Sequence, residues 1–155
     1  MRTRKSIKTK KLLIMIFSII ALSVISGQSS FGAPAGQVSD LQLLARAING
    51  EARGEPYEGQ VAVGAVILNR VKSSSFPNSI AGVIYQPGAF TAVSDGQINV
   101  AIDPKSTVVK AAQDALNGWD PTYGCLYYWN PATATSKWIW SRKIIVKIGK
   151  HNFGK

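Results

Sequence analysis

Cysteine and histidine each occur once in the 155 residues, as Cys125 and His151, and their scarcity removes several kinds of chemistry at the outset. A chain with one cysteine closes no internal disulfide, so its stability has to come from a packed core. One Cys and one His are too few for the common zinc sites. A cysteine nucleophile needs a histidine beside it, yet His151 is distant in sequence and Cys125 lies in the run Gly124-Cys125-Leu126-Tyr127-Tyr128. Cys125 is therefore expected to be a small buried apolar side chain. Acidic residues number eight and form no dense acidic loop of the kind that holds calcium. No metal and no cofactor is expected, and the chain contains no internal repeat.

A long apolar run is found only near the N-terminus. Arg2, Arg4, Lys5, Lys8, Lys10 and Lys11 form a basic block without acids, and Leu12 to Ile25 is apolar apart from two serines. Small residues follow: Ser26, Gly27, Ser29, Ser30, Gly32, Ala33 and Ala35. This order is that of a secretory signal peptide. Residues 1–35 are thus read as a signal peptide and short linker, cut near Ala33-Pro34-Ala35 or near Ser30 and Gly32. An uncleaved membrane anchor is the alternative, although the run is shorter than the roughly 20 residues a full span prefers. Either way residues 36–155 are expected outside the cytoplasm, as one secreted or membrane-anchored domain.

The basic block also carries much of the formal charge of +10. Beyond it, twelve basic residues face eight acidic ones, a net charge of +4. That is too little for a dedicated nucleic-acid binder, whose phosphate contacts need a dense basic face. Arg142, Lys143, Lys147, Lys150 and Lys155 crowd toward the C-terminus, where they suit either an anionic polymer or a strand edge guarded by lysines.

The spacing predicts helices first. Ser39 is a candidate N-cap with Gln42 three residues on, and Leu41, Leu44, Ala45, Ile48 and Ala52 follow at helical intervals until Gly54 and Pro56. A second helix over 58–71 is apolar on nearly every side and therefore central. A short third one fits 78–85, and the stretch from Pro87-Gly88 to Asn99 reads as a long loop. Asp103-Pro104 reads as a helix start, with an apolar stripe running to Gly118. After Asp120-Pro121, the runs 126–129 and 144–148 favour strands. Joined through Asn130-Pro131, they suggest an antiparallel ribbon. The fold class is α+β, mainly helical with a small β-ribbon, and the mature chain is expected to be a monomer.

Leu44, Ile48 and Glu51 fall on one helix face, an unusual place for a carboxylate. Partial burial there disfavours the ionised form and would suit a group that protonates a poor leaving oxygen. The alternative is a helix-ending glutamate paired with Arg53 or Arg46. Glu55 and Glu58 are expected to be solvated or to cap the second helix. Tyr57, Phe90, Tyr127, Tyr128, Trp129, Trp138 and Trp140 are divided between a sugar-binding groove and the core.

The segment from Ala45 to Gln60, with Glu51-Ala52-Arg53-Gly54-Glu55 at its centre, closely resembles the opening motif of the spore-cortex-lytic cell-wall hydrolases. Leu68-Asn69-Arg70-Val71, Ile80 to Tyr85, the Phe90…Asp95-Gly96 loop, Tyr127-Tyr128-Trp129-Asn130-Pro131, Trp138-Ile139, Arg142 and Ile148 to Phe153 follow that family's pattern in order. The resemblance implies a lysozyme-like fold and a lytic transglycosylase or muramidase acting on peptidoglycan, in spore cortex during germination or in wall remodelling. It also implies Glu51 as the catalytic acid. Phe90-Thr91-Ala92-Val93 departs mildly from the Phe-Ser-Pro-Val form expected there. The segment ahead of the first helix leaves no room for the peptidoglycan-binding domain of longer members, so the catalytic unit is expected to find its substrate alone.

Candidate substrate contacts are Glu55, Tyr57, Phe90, Thr91, Asp95, Tyr128, Asn130, Trp138 and Arg142. An inverting hydrolase needs a base about 6.5–9.5 Å across the cleft and a retaining one a nucleophile at about 5–5.5 Å. Asp95 is the first candidate for that second carboxylate and Glu55 the next. Without either, Glu51 acts alone and closes the muramic acid 6-hydroxyl onto C1, the route the resemblance favours. The rivals are a peptidoglycan amidase and a non-enzymatic wall-binding or assembly protein.

Overall fold

A computed structural model describes residues 38–155; the expected signal segment, 1–35, lies outside the described residues. Helix α1 (Asp40–Ala52) begins where the cap was expected: Ser39 is extended, and its hydroxyl accepts from the Gln42 N–H at 3.3 Å. Helix α2 (Tyr57–Lys72) follows after Pro56. Val61, Ala62, Val63, Val66 and Ile67 are all fully buried, so α2 is the central helix that its all-round apolar pattern requires. It packs against both α1 and α5 (Thr107–Leu116), which also touch each other. Gly64 permits this: a Cβ there would come within 3.0 Å of Ile48 on α1 and 3.1 Å of Ala115 on α5.

The expected third helix is shorter, α3 (Ile80–Ile84), and is capped by the Ser79 hydroxyl on the Gly82 N–H. The stretch read as a long loop contains a helical turn, α4 (Thr91–Ser94), and a 3-10 turn (Gln97–Asn99). Both are too short to show a period, but their buried residues Ala92 and Ile98 tie them to α1. Asp103-Pro104 does not start the third long helix. Asp103 Oδ1 takes the Lys105 N–H at 2.8 Å in a preceding turn, and α5 begins only after Ser106.

Strands β1 (Tyr127–Trp129), β2 (Ile144–Ile148) and β3 (His151–Gly154) form one antiparallel sheet in the order β1-β3-β2. The expected direct pairing of the two aromatic and β-branched runs is therefore replaced by a shared central strand. Tyr128 pairs with Phe153, and Val146 pairs with Phe153 from the other side. Every residue of β3 is buried, so it needs both neighbours to satisfy its backbone. The segment after β1 includes a 3-10 turn (Lys137–Ser141) that presents Trp138 and Trp140 half-exposed.

The main core joins Leu44 and Ile48 of α1, Val63 and Ile67 of α2, Val83 and Ile84 of α3, and Phe153 of β3. Cys125 is free and buried in it, as expected, and its thiol donates to the Thr122 carbonyl at 3.0 Å. Burial pushes that thiol above its ordinary value, against the opposing charge of Lys155; it is no thiolate near neutrality. Among the described residues no helix is long and apolar enough to cross a membrane.

Candidate active site

Glu51 sits in the last turn of α1, on the face that carries Leu44 and Ile48, and is only partly exposed. Neither Arg46 of this helix nor Arg53 at its C-cap takes its carboxylate. Arg53 Nη1 donates to Gln97 Oε1 at 3.0 Å, and Arg46 Nη1 reaches the Ile98 carbonyl at 3.5 Å. Instead, Glu51 Oε1 accepts from the Ala92 N–H at 2.9 Å and Oε2 from the Tyr128 hydroxyl at 3.1 Å. The carboxylate is thus held by α4 on one oxygen and by β1 on the other.

That arrangement depends on a close approach of α4 to α1. A Cβ on Gly50 would overlap the Ala92 Cβ, so glycine beside Glu51 is what brings the Ala92 N–H within reach. A proline at 92, as in the Phe-Ser-Pro-Val form, has no N–H; this chain has a bond to Glu51 that such a form lacks.

Burial pushes the Tyr128 phenol well above its ordinary value of 10.0, and the Glu51 charge adds to this while Arg70 opposes it. Tyr128 therefore stays a hydroxyl throughout the working pH range. Such a hydroxyl can donate to a carboxylate and, after rotation, accept from a carboxylic acid. Tyr128→Phe is expected to lower turnover by about ten- to a hundredfold, the worth of one hydrogen bond to a charged group. Ala92→Pro removes the other bond to Glu51 but restores the proline of the Phe-Ser-Pro-Val form, so it should stay within about tenfold of the parent. Kinetics on solubilised substrate with both variants check the ranking.

Beside this pair lies a groove of about 620 Å³, lined by Arg70, Thr91, Tyr127, Tyr128, Trp129 and Trp138 together with the 86–89 turn and the 133–136 segment. Glu51 does not line it directly. It adjoins the groove through Tyr128 and through Ala92, the neighbour of Thr91. The aromatic composition suits the apolar faces of pyranose rings, with Trp138 52% exposed.

Of the expected substrate contacts, Thr91, Tyr128 and Trp138 line this groove. The others are elsewhere. Tyr57 faces α5, where its hydroxyl donates to Asp114 Oδ2 at 2.6 Å; burial and that carboxylate push its phenol up to about 12. Phe90 is buried in the core. Asp95 is exposed at the end of α4 and accepts from the Gln97 N–H at 3.0 Å. Asn130 Oδ1 caps its own turn on the Ala132 N–H, and Arg142 lies over the rings of Tyr127 and Trp138.

Glu55 corrects the expectation of a solvated carboxylate: its side chain is 7% exposed. Its Oε2 accepts from the Lys150 N–H at 2.8 Å and lies 3.8 Å from His151 Nδ1, so it anchors the β2–β3 turn. The His151 ring meets Tyr128 edge-on at 5.5 Å. Burial lowers the His151 pKa below 6.5, against the pull of Glu55 and Glu51, so the ring is neutral near pH 7.

Two residues of α2 also belong to the site's frame. Asn69 Nδ2 donates to the Cys125 carbonyl at 3.2 Å and Arg70 Nε to the Leu126 carbonyl at 2.8 Å. Together they hold the backbone that enters β1 and so place Tyr128. Arg70 was legible only as part of a motif, although a charged residue in a helix apolar all round was itself a signal.

A glutamate fixed by a tyrosine beside an aromatic groove, on a helical domain with a small sheet, defines a lysozyme-like domain. The family model described as Cell Wall Hydrolase matches residues 54–154, and the chain belongs to that family. It is 65% identical over 117 residues to a spore cortex-lytic enzyme of Bacillus cereus, covering 76% of this chain and 44% of that protein. Cell wall hydrolase CwlJ of Bacillus subtilis is 28% identical over 120 residues, 74% of this chain and 84% of that one. The crystal structure of the catalytic domain of Bacillus cereus SleB superimposes with a TM-score of 0.71 at 62% identity, covering 77% of this chain and 94% of that domain. The catalytic domain of the germination-specific lytic transglycosylase SleB from Bacillus anthracis gives 0.72 at 62% identity, covering 79% and 99%. The chain spans less than half the length of the spore cortex-lytic enzyme of Bacillus cereus but nearly all of the solved catalytic domains.

Proposed function

We propose that this chain cleaves peptidoglycan glycan strands as a lytic transglycosylase, outside the cytoplasm and in the spore cortex, with Glu51 as its single proton carrier. The observation that carries this reading is the setting of Glu51. Its carboxylate is held by Ala92 and Tyr128 beside the groove, whereas Asp95 accepts a backbone N–H of its own turn and Glu55 one of the β2–β3 turn. The relatives' names, spore cortex-lytic enzyme and lytic transglycosylase, agree with it.

In this mechanism the Glu51 carboxylic acid gives its proton to the glycosidic oxygen as the bond to muramic acid C1 breaks, and the electron pair leaves with that oxygen. The 6-hydroxyl oxygen of the same sugar then bonds to C1, and its proton passes to the Glu51 carboxylate. The acid is regenerated and no water is consumed. Tyr128 accepts a hydrogen bond from the acid and donates one to the carboxylate, so the group keeps a partner in both halves. Thr91, Tyr128 and Trp138 contact the sugars. Residues 1–35 serve export or anchoring, and residues 36–155 are the catalytic unit, acting as a monomer.

Mass spectrometry of the soluble fragments released from purified cortex and vegetative peptidoglycan tests this. Anhydro-muramic ends, more abundant from cortex, are expected. Reducing muramic ends would overturn the transglycosylase assignment in favour of a muramidase, and binding without release would favour a wall-binding protein.

A further inference from the structure

Arg70 is an unusual groove residue. It is 9% exposed, and burial lowers its pKa from 12.5 while the nearby Glu51 carboxylate opposes that shift. A guanidinium so far from water ordinarily has a carboxylate partner. Here no described carboxylate is in salt-bridge contact with it, and among the described residues its sole hydrogen bond runs from Nε to the Leu126 carbonyl. The rings of Phe76, Phe90 and Tyr127 surround Cζ at 5.3, 5.5 and 5.9 Å.

Neither Nη is among the buried polar atoms left without a partner, and the side chain lines the groove. Each Nη therefore keeps some access to solvent, and the groove is the cavity that this side chain lines. The Nε bond and the three rings hold the guanidinium, which leaves a two-pronged donor facing the space where substrate would lie. That fork matches a carboxylate in geometry as well as in charge.

We infer that Arg70 is a substrate-binding residue that takes a carboxylate of the wall polymer through its two Nη atoms. The inference rests on the groove being the glycan site. Peptidoglycan offers this chemistry from two sources, the free lactyl carboxyl of an unsubstituted muramic acid and the carboxylates of a peptide stem. A purely structural role, in which Arg70 braces the three rings, would affect stability but would be indifferent to substrate charge.

Calorimetric titration of the protein with muramic-acid-containing disaccharides separates these. Four ligands are needed: with a free lactyl carboxylate, with a peptide stem, and each with its carboxylates converted to methylamides. At least about tenfold tighter binding of one carboxylate form over its methylamide is expected, since a hydrogen bond to a charged group is worth that much. The pair that shows the difference identifies the source. Arg70→Gln should abolish the preference and Arg70→Lys should keep only part of it.

Equal affinity of the unaltered protein for acid and methylamide in both pairs would overturn the assignment, whether or not the variants fold. If the walls are still digested in that case, the glycan reading stands alone. No binding of any fragment together with no release from either wall would overturn both.

Discussion

Replacing Glu51 by glutamine is expected to lower glycan release at least about a thousandfold, within the span that general acid catalysis supplies, while leaving the fold and wall binding nearly unchanged. The amide keeps an acceptor oxygen for the Ala92 N–H, and its NH₂ can donate to the Tyr128 oxygen, so both partners stay satisfied. What is lost is the transferable proton. Glu51→Asp tests position rather than chemistry: one methylene fewer draws the carboxyl back from both partners, and a displacement of about 1 Å can cost about a hundredfold. Release rates measured beside thermal unfolding and a wall-pelleting assay distinguish these losses from unfolding. A glutamine variant that still digests peptidoglycan would remove Glu51 from the mechanism.

Glu51 could be picked out from the sequence because a carboxylate on a leucine face breaks a pattern. Its partner could not, since Tyr128 stands 77 positions away and reaches Glu51 only after the sheet is assembled. That sheet was itself half legible. The runs around Tyr127 and Ile144 have strand composition, whereas His151-Asn152-Phe153-Gly154 has one apolar residue in four and no alternation. It is a central strand because two neighbours bury it, a tertiary effect that local propensity does not carry.

Aromatic residues show the same limit. Tyr57, Phe90, Tyr128 and Trp138 look alike as groove candidates, yet Phe90 is core and Tyr57 belongs to the α2–α5 contact, because only the packing decides which face of an element meets solvent. Glu55 was misplaced for a related reason. A glutamate in a polar turn reads as solvated, but a turn 95 residues later brings a backbone N–H to it. Helices α1 and α2 were readable because their caps and periodicity are local.

Asp120→Ala, at a position outside the groove, should destabilise the fold by about 3 kcal/mol. Asp120 accepts from Asn69 Nδ2 at 2.9 Å, from the Thr122 N–H and hydroxyl at 2.8 and 2.6 Å, and from the Gly124 N–H at 2.8 Å. Alanine leaves these donors, Thr122 among them fully buried, without their acceptor, and it unties the turn that leads into β1. Because Asn69 and Arg70 position that same segment, Tyr128 should shift and turnover should fall along with stability. The pH dependence gives a second signature. Burial raises the Asp120 pKa, but the hydrogen bonds from Thr122, Asn69 and Gly124 outweigh it and hold the carboxyl below its ordinary 3.8. A depressed folded-state pKa stabilises the protein above the unfolded value, and that contribution is lost as pH falls through the folded one. The stability gap between the parent protein and Asp120→Asn, read from denaturant melts, should therefore be constant from neutrality down to about pH 5 and shrink below 3.8. A gap that did not change with pH would mean that the turn is held by shape alone, and that the charge of Asp120 contributes nothing to placing Tyr128.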